Sequence, residues 1–199
     1  MFKIVLFVAC LVLICTATFS QVNISGRILT VSGNFSDNKN SAVYLSGLNK
    51  SGSLTFEPGI VVSAEFYGTA TTSLKISQSV SYDAVKHIAA STQAMLRFRL
   101  FKVWKHHASI GIGPSVFYRQ SWELVPGYIR ESGYKQTDGL EYAISWLSGE
   151  LEYNFYMSKH TDISLAVNHL KPTSAGITLG LKYWISRKSS RCNTCPSFH

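Results

Sequence analysis

The sequence of 199 residues carries little charge: only 15% of its residues are Asp, Glu, Lys or Arg, against about 25% in a typical soluble domain. Cysteine is also scarce, with four in the chain, which excludes a small disulfide-stabilised scaffold. Beyond residue 20 there is no apolar run of the roughly 18 residues that a spanning helix needs. Helical periodicity is hard to find, and a hydrophobic fraction of 46% excludes disorder for most of the chain.

Residues 1–20 have the pattern of a secretory signal peptide. Lys3 supplies the positive charge, an unbroken apolar run extends to Cys15, and the small residues Thr18 and Ser20 fit a signal-peptidase site. The alternative is a transmembrane anchor, for which the apolar run is short. We therefore expect an exported chain whose mature form begins at residue 21.

Most of the remaining chain, from about residue 41 to 185, alternates between apolar and polar residues with the period of two that indicates β-strands. The clearest strand spans residues 108–118, where large apolar residues oppose Ser and Gly. Seven strands of this kind can be counted, and we place an eighth at residues 42–48. Residues 23–31 alternate poorly and are left outside the count. Gln78 interrupts an otherwise apolar face.

The segments between the strands alternate in length. Tight turns are expected at residues 68–71, 104–107 and 158–161, and longer loops at residues 49–53, 83–90, 120–142 and 169–173. Short turns at one end and longer loops at the other are typical of transmembrane barrels. The predicted fold is therefore all-β: an up-and-down antiparallel transmembrane β-barrel of about eight strands.

The polar faces of the strands decide between a membrane barrel and a water-soluble one. These faces are rich in Gly and Ser, and their charges balance, four acidic against four basic. The predicted barrel-interior charges are Glu57, Glu65, Lys75, Arg97, Arg99, Glu150, Glu152 and Lys182. Within a narrow barrel such charges must pair, because a buried unpaired charge is costly. In the alternative, a soluble barrel, they would face water.

Aromatic residues cluster near the predicted strand ends. Rings with a polar edge suit the membrane–water interface. The residues expected there are Tyr67, Tyr82, Trp104, Tyr118, Tyr156, Tyr183 and Trp184.

These features resemble the small eight-stranded outer-membrane β-barrel proteins of Gram-negative bacteria. The resemblance covers roughly residues 42–185 and rests on strand rhythm, not on a catalytic motif. It implies an outer-membrane location with membrane lipid as the surrounding partner. One departure is that such chains usually end at an aromatic residue of the last strand, whereas further residues follow here. The implied organisation is a signal peptide (1–20), an N-terminal segment (21–40), a barrel (41–186) and a basic tail (187–199).

The tail contains a CxxC motif, Cys192 to Cys195. Without a βαβ context the motif predicts a local disulfide or an inert tail rather than redox catalysis. With His199 it could supply three metal ligands, which is a weak site. We predict no metal, no cofactor and no nucleic-acid partner.

The predicted role is structural or surface-interacting, without a catalytic site. The loop at residues 120–142 combines Trp122, Tyr128 and Tyr134 with charged residues, a composition favoured in binding patches, and could bind an extracellular ligand. Two alternatives remain. One is a secreted soluble barrel that binds a small apolar ligand, and the other is an outer-membrane lipid hydrolase that uses His169 and Ser174.

Overall fold

A computed structural model describes residues 21–34, 40–49, 51, 53–130, 133–171 and 174–186. The predicted signal peptide and the tail with Cys192 and Cys195 lie outside these residues and stay predictions. The described part is built from β1 (Gln21–Asn34), β2 (Leu54–Tyr67), β3 (Thr72–Tyr82), β4 (Ile88–Val103), β5 (His106–Gln120), β6 (Lys135–Thr137), β7 (Leu140–Tyr156), β8 (Thr161–Lys171) and β9 (Ser174–Ser186). No helix in these residues is long and apolar enough to cross a membrane.

Eight of the strands form a closed antiparallel barrel. Each pairs with its neighbour in the chain, β1 pairs with β9, and β5 pairs with β7 to complete the ring. The short strand β6 is a hairpin extension of β7 outside the ring. The predicted eight-stranded up-and-down barrel is therefore confirmed.

The first strand differs from the prediction. Residues 21–34 form β1, which pairs with β2 and β9 along its length. Residues 42–48 are not a strand: they include part of the 3₁₀ turn Ser41–Val43 and make a single bridge, Gly47 to Thr55. The alternation of β1 is poor because Gly26 faces outward, Leu29 is buried inside, and a bulge after Leu29 shifts the pairing.

The connections separate the two ends of the barrel. Short turns join β2 to β3, β4 to β5 and β7 to β8, and the described chain begins and ends at this end. The other end carries the connections over residues 35–53, 83–87, 121–139 and 172–173. The loop predicted at residues 49–53 is thus part of a longer connection. Between β6 and β7, Asp138 and Gly139 have φ of 45° and 80°, as a tight hairpin turn requires.

Small and polar residues line the inside of the barrel, and large apolar residues cover the outside. This division places the core within the barrel, where long charged side chains need room. At Gly111, an added Cβ would lie only 3.0 Å from Cγ of Arg97. The glycine therefore leaves the space that the Arg97 side chain occupies.

Candidate functional site

The outer surface of the barrel is apolar on every strand of the ring. Representative outward side chains with at least 40% of their surface exposed are Ile24, Ile60, Ile76, Leu96, Ile112, Leu151, Leu165 and Leu179. A soluble barrel would hide such side chains inside. The arrangement therefore does not favour the alternative of a soluble barrel with an apolar ligand site.

The interior holds most of the charges that the sequence placed there. Seven of the eight predicted residues are at most 2% exposed: Glu57, Glu65, Lys75, Arg97, Glu150, Glu152 and Lys182. Arg99 is half-buried, and its guanidinium lies 5.8 Å from the centre of the Tyr67 ring. Arg27, on the strand missed by the prediction, is a further buried cation.

Glu152 is the hub of this cluster. Its carboxylate lies within 4.0 Å of four cations, and three of these ion pairs measure 2.6 Å to Lys75, 3.2 Å to Arg97 and 3.5 Å to Arg27. The fourth is with Lys182. These cations come from four different strands, β1, β3, β4 and β9, so one carboxylate on β7 ties together distant parts of the ring.

Two further carboxylates complete what we call the lumen ion network. Glu150 accepts hydrogen bonds from Arg27 at 2.9 Å and from Lys75 at 2.6 Å. Glu65 pairs with Lys182 at 3.0 Å and with Arg97 at 2.9 Å. The Arg97 contacts are ion pairs without hydrogen-bond alignment. Three carboxylates and four cations thus fill the half of the lumen nearer the short turns.

Two predicted interface aromatics lie inside the barrel instead. Tyr67 and Trp184 are at most 3% exposed, and their ring centres are 5.3 Å apart. The Trp184 indole donates a 2.7 Å hydrogen bond to Asp162. Tyr67 is two residues after Glu65, and Trp184 is two residues after Lys182, so both point to the same inner face as these charges. The two-residue alternation therefore decides their orientation, although they lie at strand ends. In contrast, Tyr82 and Trp104 are exposed on the outside.

The two residues of the hydrolase alternative, His169 and Ser174, form no hydrogen bond with each other. His169 Nδ1 lies 3.1 Å from the hydroxyl of Ser148, which in turn contacts Ser115. Ser115 and Ser148 are each 1% exposed, too buried to attack a substrate. The buried Ser174 hydroxyl has no hydrogen-bond partner among the described residues. The geometry therefore gives no support to a catalytic pair of His169 and Ser174.

At the loop end of the barrel lies a group of contacting side chains that we call the loop cap: Arg119, Glu141, Trp122, Tyr128 and Tyr134. The Arg119 guanidinium carbon lies 3.8 Å from the centre of the Trp122 ring and 4.0 Å from that of Tyr134. Arg119 also donates hydrogen bonds to Glu141 at 2.7 Å and to the Tyr128 hydroxyl at 3.1 Å. One arginine thus holds three aromatic side chains of the predicted binding loop.

The loop cap is anchored to the neighbouring connections. Trp122 is 1% exposed and donates from its indole to Asp83 at 2.6 Å. Asp83 also accepts hydrogen bonds from the amides of Val85 and His87, which fixes the β3–β4 turn. Between the two long loops, Asn40 exchanges hydrogen bonds with the backbone of Ile129.

The loop sequence indicates that Trp122, Tyr128 and Tyr134 belong to one surface feature, but it does not identify the residues that hold them. Arg119 and Glu141 lie at the ends of β5 and β7, at cross-strand positions of the ring. Opposite charges that flank a long hairpin loop are the signal that could have found this pair. Asp83 and Asn40 are distant from this loop in the sequence and contact it only in the closed barrel. No local sequence pattern predicts these contacts.

A closed antiparallel barrel with an apolar outside and a filled polar inside is an integral membrane barrel of the outer-membrane type. The protein is therefore an outer-membrane β-barrel.

Among the described residues, no group of His, Cys, Asp and Glu side chains could hold a metal ion.

Comparison with known proteins gives similarity at the level of structure. No protein-family model matches the chain, and no curated protein sequence does. The chain is similar to the N-terminal β-barrel domain of Pseudomonas aeruginosa OprF, with 10% identity, 83% of this chain and 98% of that chain covered, and a TM-score of 0.48. The outer membrane protein OprG from P. aeruginosa is 10% identical, with 85% of this chain and 98% of that chain covered and a TM-score of 0.46. Ail, the attachment invasion locus protein of Yersinia pestis, is 14% identical, with 82% of this chain and 96% of that chain covered and a TM-score of 0.42.

Neutralising the hub of the lumen ion network should destabilise the barrel. In Glu152→Gln, four buried cations lose a shared carboxylate, and breaking a buried ion pair costs about 3–5 kcal/mol. We expect the heat-induced change in gel migration of the detergent-solubilised protein to occur at a clearly lower temperature. The matched control is Glu123→Gln in an exposed loop position, which should change stability by less than about 0.5 kcal/mol. Equal transition temperatures for the two variants would contradict the role of the network.

Replacing Arg119 by lysine should loosen the loop cap while keeping the charge beside Glu141. Lysine lacks the planar group that stacks on Trp122 and Tyr134, and losing two cation–π contacts is worth about 1–2 kcal/mol. Trypsin cleavage at Arg130 or Lys135 should therefore be about five- to thirtyfold faster, because cleavage follows local opening. Glu123→Gln, an exposed position of the same loop that is not a trypsin site, is the control and should leave the rate unchanged. A cleavage rate at the wild-type level in Arg119→Lys would count against the stacking.

Proposed function

We propose that the protein is a non-conducting outer-membrane barrel that presents a preorganised loop surface to partners outside the cell. The observation that carries this proposal is the loop cap: one buried arginine holds three aromatic rings of the longest described loop in place. Ordering a loop before it meets a partner reduces the entropy lost on binding. A barrel whose only task was to stabilise the envelope would not need such a loop.

Exposed apolar side chains on the long loops support a binding role. Leu124 is 95% exposed and Ile129 is 53% exposed, and Leu45 on the neighbouring connection is 68% exposed. These residues lie at the loop end, beyond the strands that face lipid, so membrane burial does not explain them. Exposed apolar residues with aromatic and arginine neighbours are typical of interaction surfaces. The ligand expected here is an extracellular macromolecule rather than a small molecule within the lumen.

The outward orientation of the loop cap can be tested by cysteine labelling in intact cells. In a background with Cys192 and Cys195 changed to Ser, Leu124→Cys should react with a maleimide–polyethylene glycol too large to pass the outer membrane. Trp104→Cys is the matched control, because Trp104 is 77% exposed in a short turn at the opposite end. This variant should react only after the outer membrane is permeabilised. Labelling of Trp104→Cys alone in intact cells would invert the proposed orientation.

The filled lumen predicts that the barrel conducts no ions. An eight-stranded barrel is just wide enough for side chains to fill it, and the lumen ion network occupies one half of this interior. Purified protein in a planar lipid bilayer should therefore give no discrete conductance steps, at protein amounts where an open porin gives many. Regular steps that scale with salt concentration would show an open channel and overturn this part of the proposal.

A further inference from the structure

Three polar side chains from adjacent strands meet on the lipid-facing surface of the barrel. Gln78 on β3, Thr92 on β4 and Tyr118 on β5 all face outward. Gln78 Nε2 donates to the Tyr118 hydroxyl at 2.9 Å, and Thr92 Oγ1 donates to Gln78 Oε1 at 2.6 Å. We call this group the outer polar triad. Gln78 is the residue that interrupted the apolar pattern of its strand.

The hydrogen-bond inventory of the triad shows what it can still bind. The second Gln78 amide hydrogen is donated to the Ser79 carbonyl at 3.2 Å. The Tyr118 hydroxyl has two acceptors within reach, Thr92 Oγ1 at 2.6 Å and Gln78 Oε1 at 3.2 Å. All four donor hydrogens therefore have acceptors nearby, while the two hydroxyl oxygens keep lone pairs. The triad is satisfied as a donor and remains available as an acceptor.

We call the row of small outward side chains on β4 beside this triad the groove. The outward residues of β4 are small here, with Ala90 and Ala94 on either side of Thr92. At the loop end, an open cleft of about 450 Å³ reaches Ala90 of this row and Tyr118 of the triad. Residues lining this cleft include Ile88, Ala90, Tyr118, Gln120, Asp138 and Leu140.

The depth of the triad places it beneath the headgroups. Gln78 lies four residues before the end of β3 at Tyr82, which corresponds to about 10 Å along the membrane normal for a tilted strand. With Tyr82 at the outer edge of a headgroup layer of roughly 5–7 Å, the triad lies just below the headgroups, at the level of a hydroxyl near the start of an acyl chain. The hydrocarbon region supplies no water to complete hydrogen bonds. A donor that reaches the free lone pairs must therefore come from a lipid.

We propose that this groove binds an outer-leaflet lipid whose acyl chain carries a hydroxyl group near its headgroup. The inference rests on the proposed outer-membrane embedding and adds a lateral lipid site to it. The chain lies along Ala90, Thr92 and Ala94, and its hydroxyl donates to the Thr92 or Tyr118 oxygen. An acyl chain without a donor would leave these lone pairs unused, so the site distinguishes hydroxylated from plain chains.

The test compares two probes on the full mature chain, solubilised in an amine-oxide detergent that has no hydroxyl group. The probes are lysophosphatidylethanolamines with a 3-hydroxytetradecanoyl or a plain tetradecanoyl chain, and native mass spectrometry gives the bound fraction of each. One hydrogen bond in an apolar environment predicts about three- to fifteenfold tighter binding of the hydroxylated probe. The variant Gln78→Leu/Thr92→Val/Tyr118→Phe should bind both probes equally.

A second pair of variants tests the position of the chain. Ala90→Trp fills the groove and should weaken binding of both probes, whereas Leu179→Trp, outward on β9 at the opposite side of the ring, should not. Equal binding of the two probes by the wild type, or a preference retained in the triple variant, would overturn the proposal. Heat-dependent gel migration is measured for every variant. Its absence in the wild type would refute the barrel embedding itself, whereas an intact barrel without lipid preference refutes only the lateral site.

Discussion

The structure depends on the placement of charge within a lumen that has no room for bulk water. Glu152 meets cations from four strands, and each of these contacts requires its strand to be in the observed register. A shift of one residue in any of them would turn the cation outward into lipid. Because an unpaired buried charge is costly, the lumen ion network favours one register for the whole ring. It fills space, and it also selects the fold.

The same constraint accounts for the small residues among the charges. Gly111 leaves room for the Arg97 side chain, and the buried, hydrogen-bonded pair Ser25 and Ser63 lies beside Arg27 and Glu65 on β1 and β2. Towards the loops, Arg119 and Glu141 continue the pairing of opposite charges up to the mouth of the barrel. There the guanidinium also stacks on aromatic rings. The loop cap is thus the outermost layer of the interior packing, and its order derives from the barrel beneath it.

The sequence predicted most of the fold, because two-residue alternation reports directly which side of a strand is buried. It placed seven interior charges on buried positions, among them Glu65 and Lys75, which are direct cross-strand neighbours. It missed Arg27 since Gly26, Leu29 and a bulge disturb the alternation of β1. The same alternation predicts an inward orientation for Tyr67 and Trp184, which follow Glu65 and Lys182 by two residues. The contacts of Arg119 with Trp122 and Tyr134 are different, because loop conformation decides them and no period describes a loop.

Exceptions to the alternation differ in meaning between the two faces of the barrel. An apolar side chain that points inward, such as Leu29 or Met95, loses little because it fills volume among other buried groups. A polar side chain that points outward meets hydrocarbon, where nothing but another side chain or a lipid can satisfy it. Gln78 is tolerated since Thr92 and Tyr118 supply its partners from two further strands. Three strands thus contribute side chains that satisfy one polar residue on the lipid-facing surface. Outward polar residues of this kind are therefore the positions of a membrane barrel that indicate most about its lipid contacts.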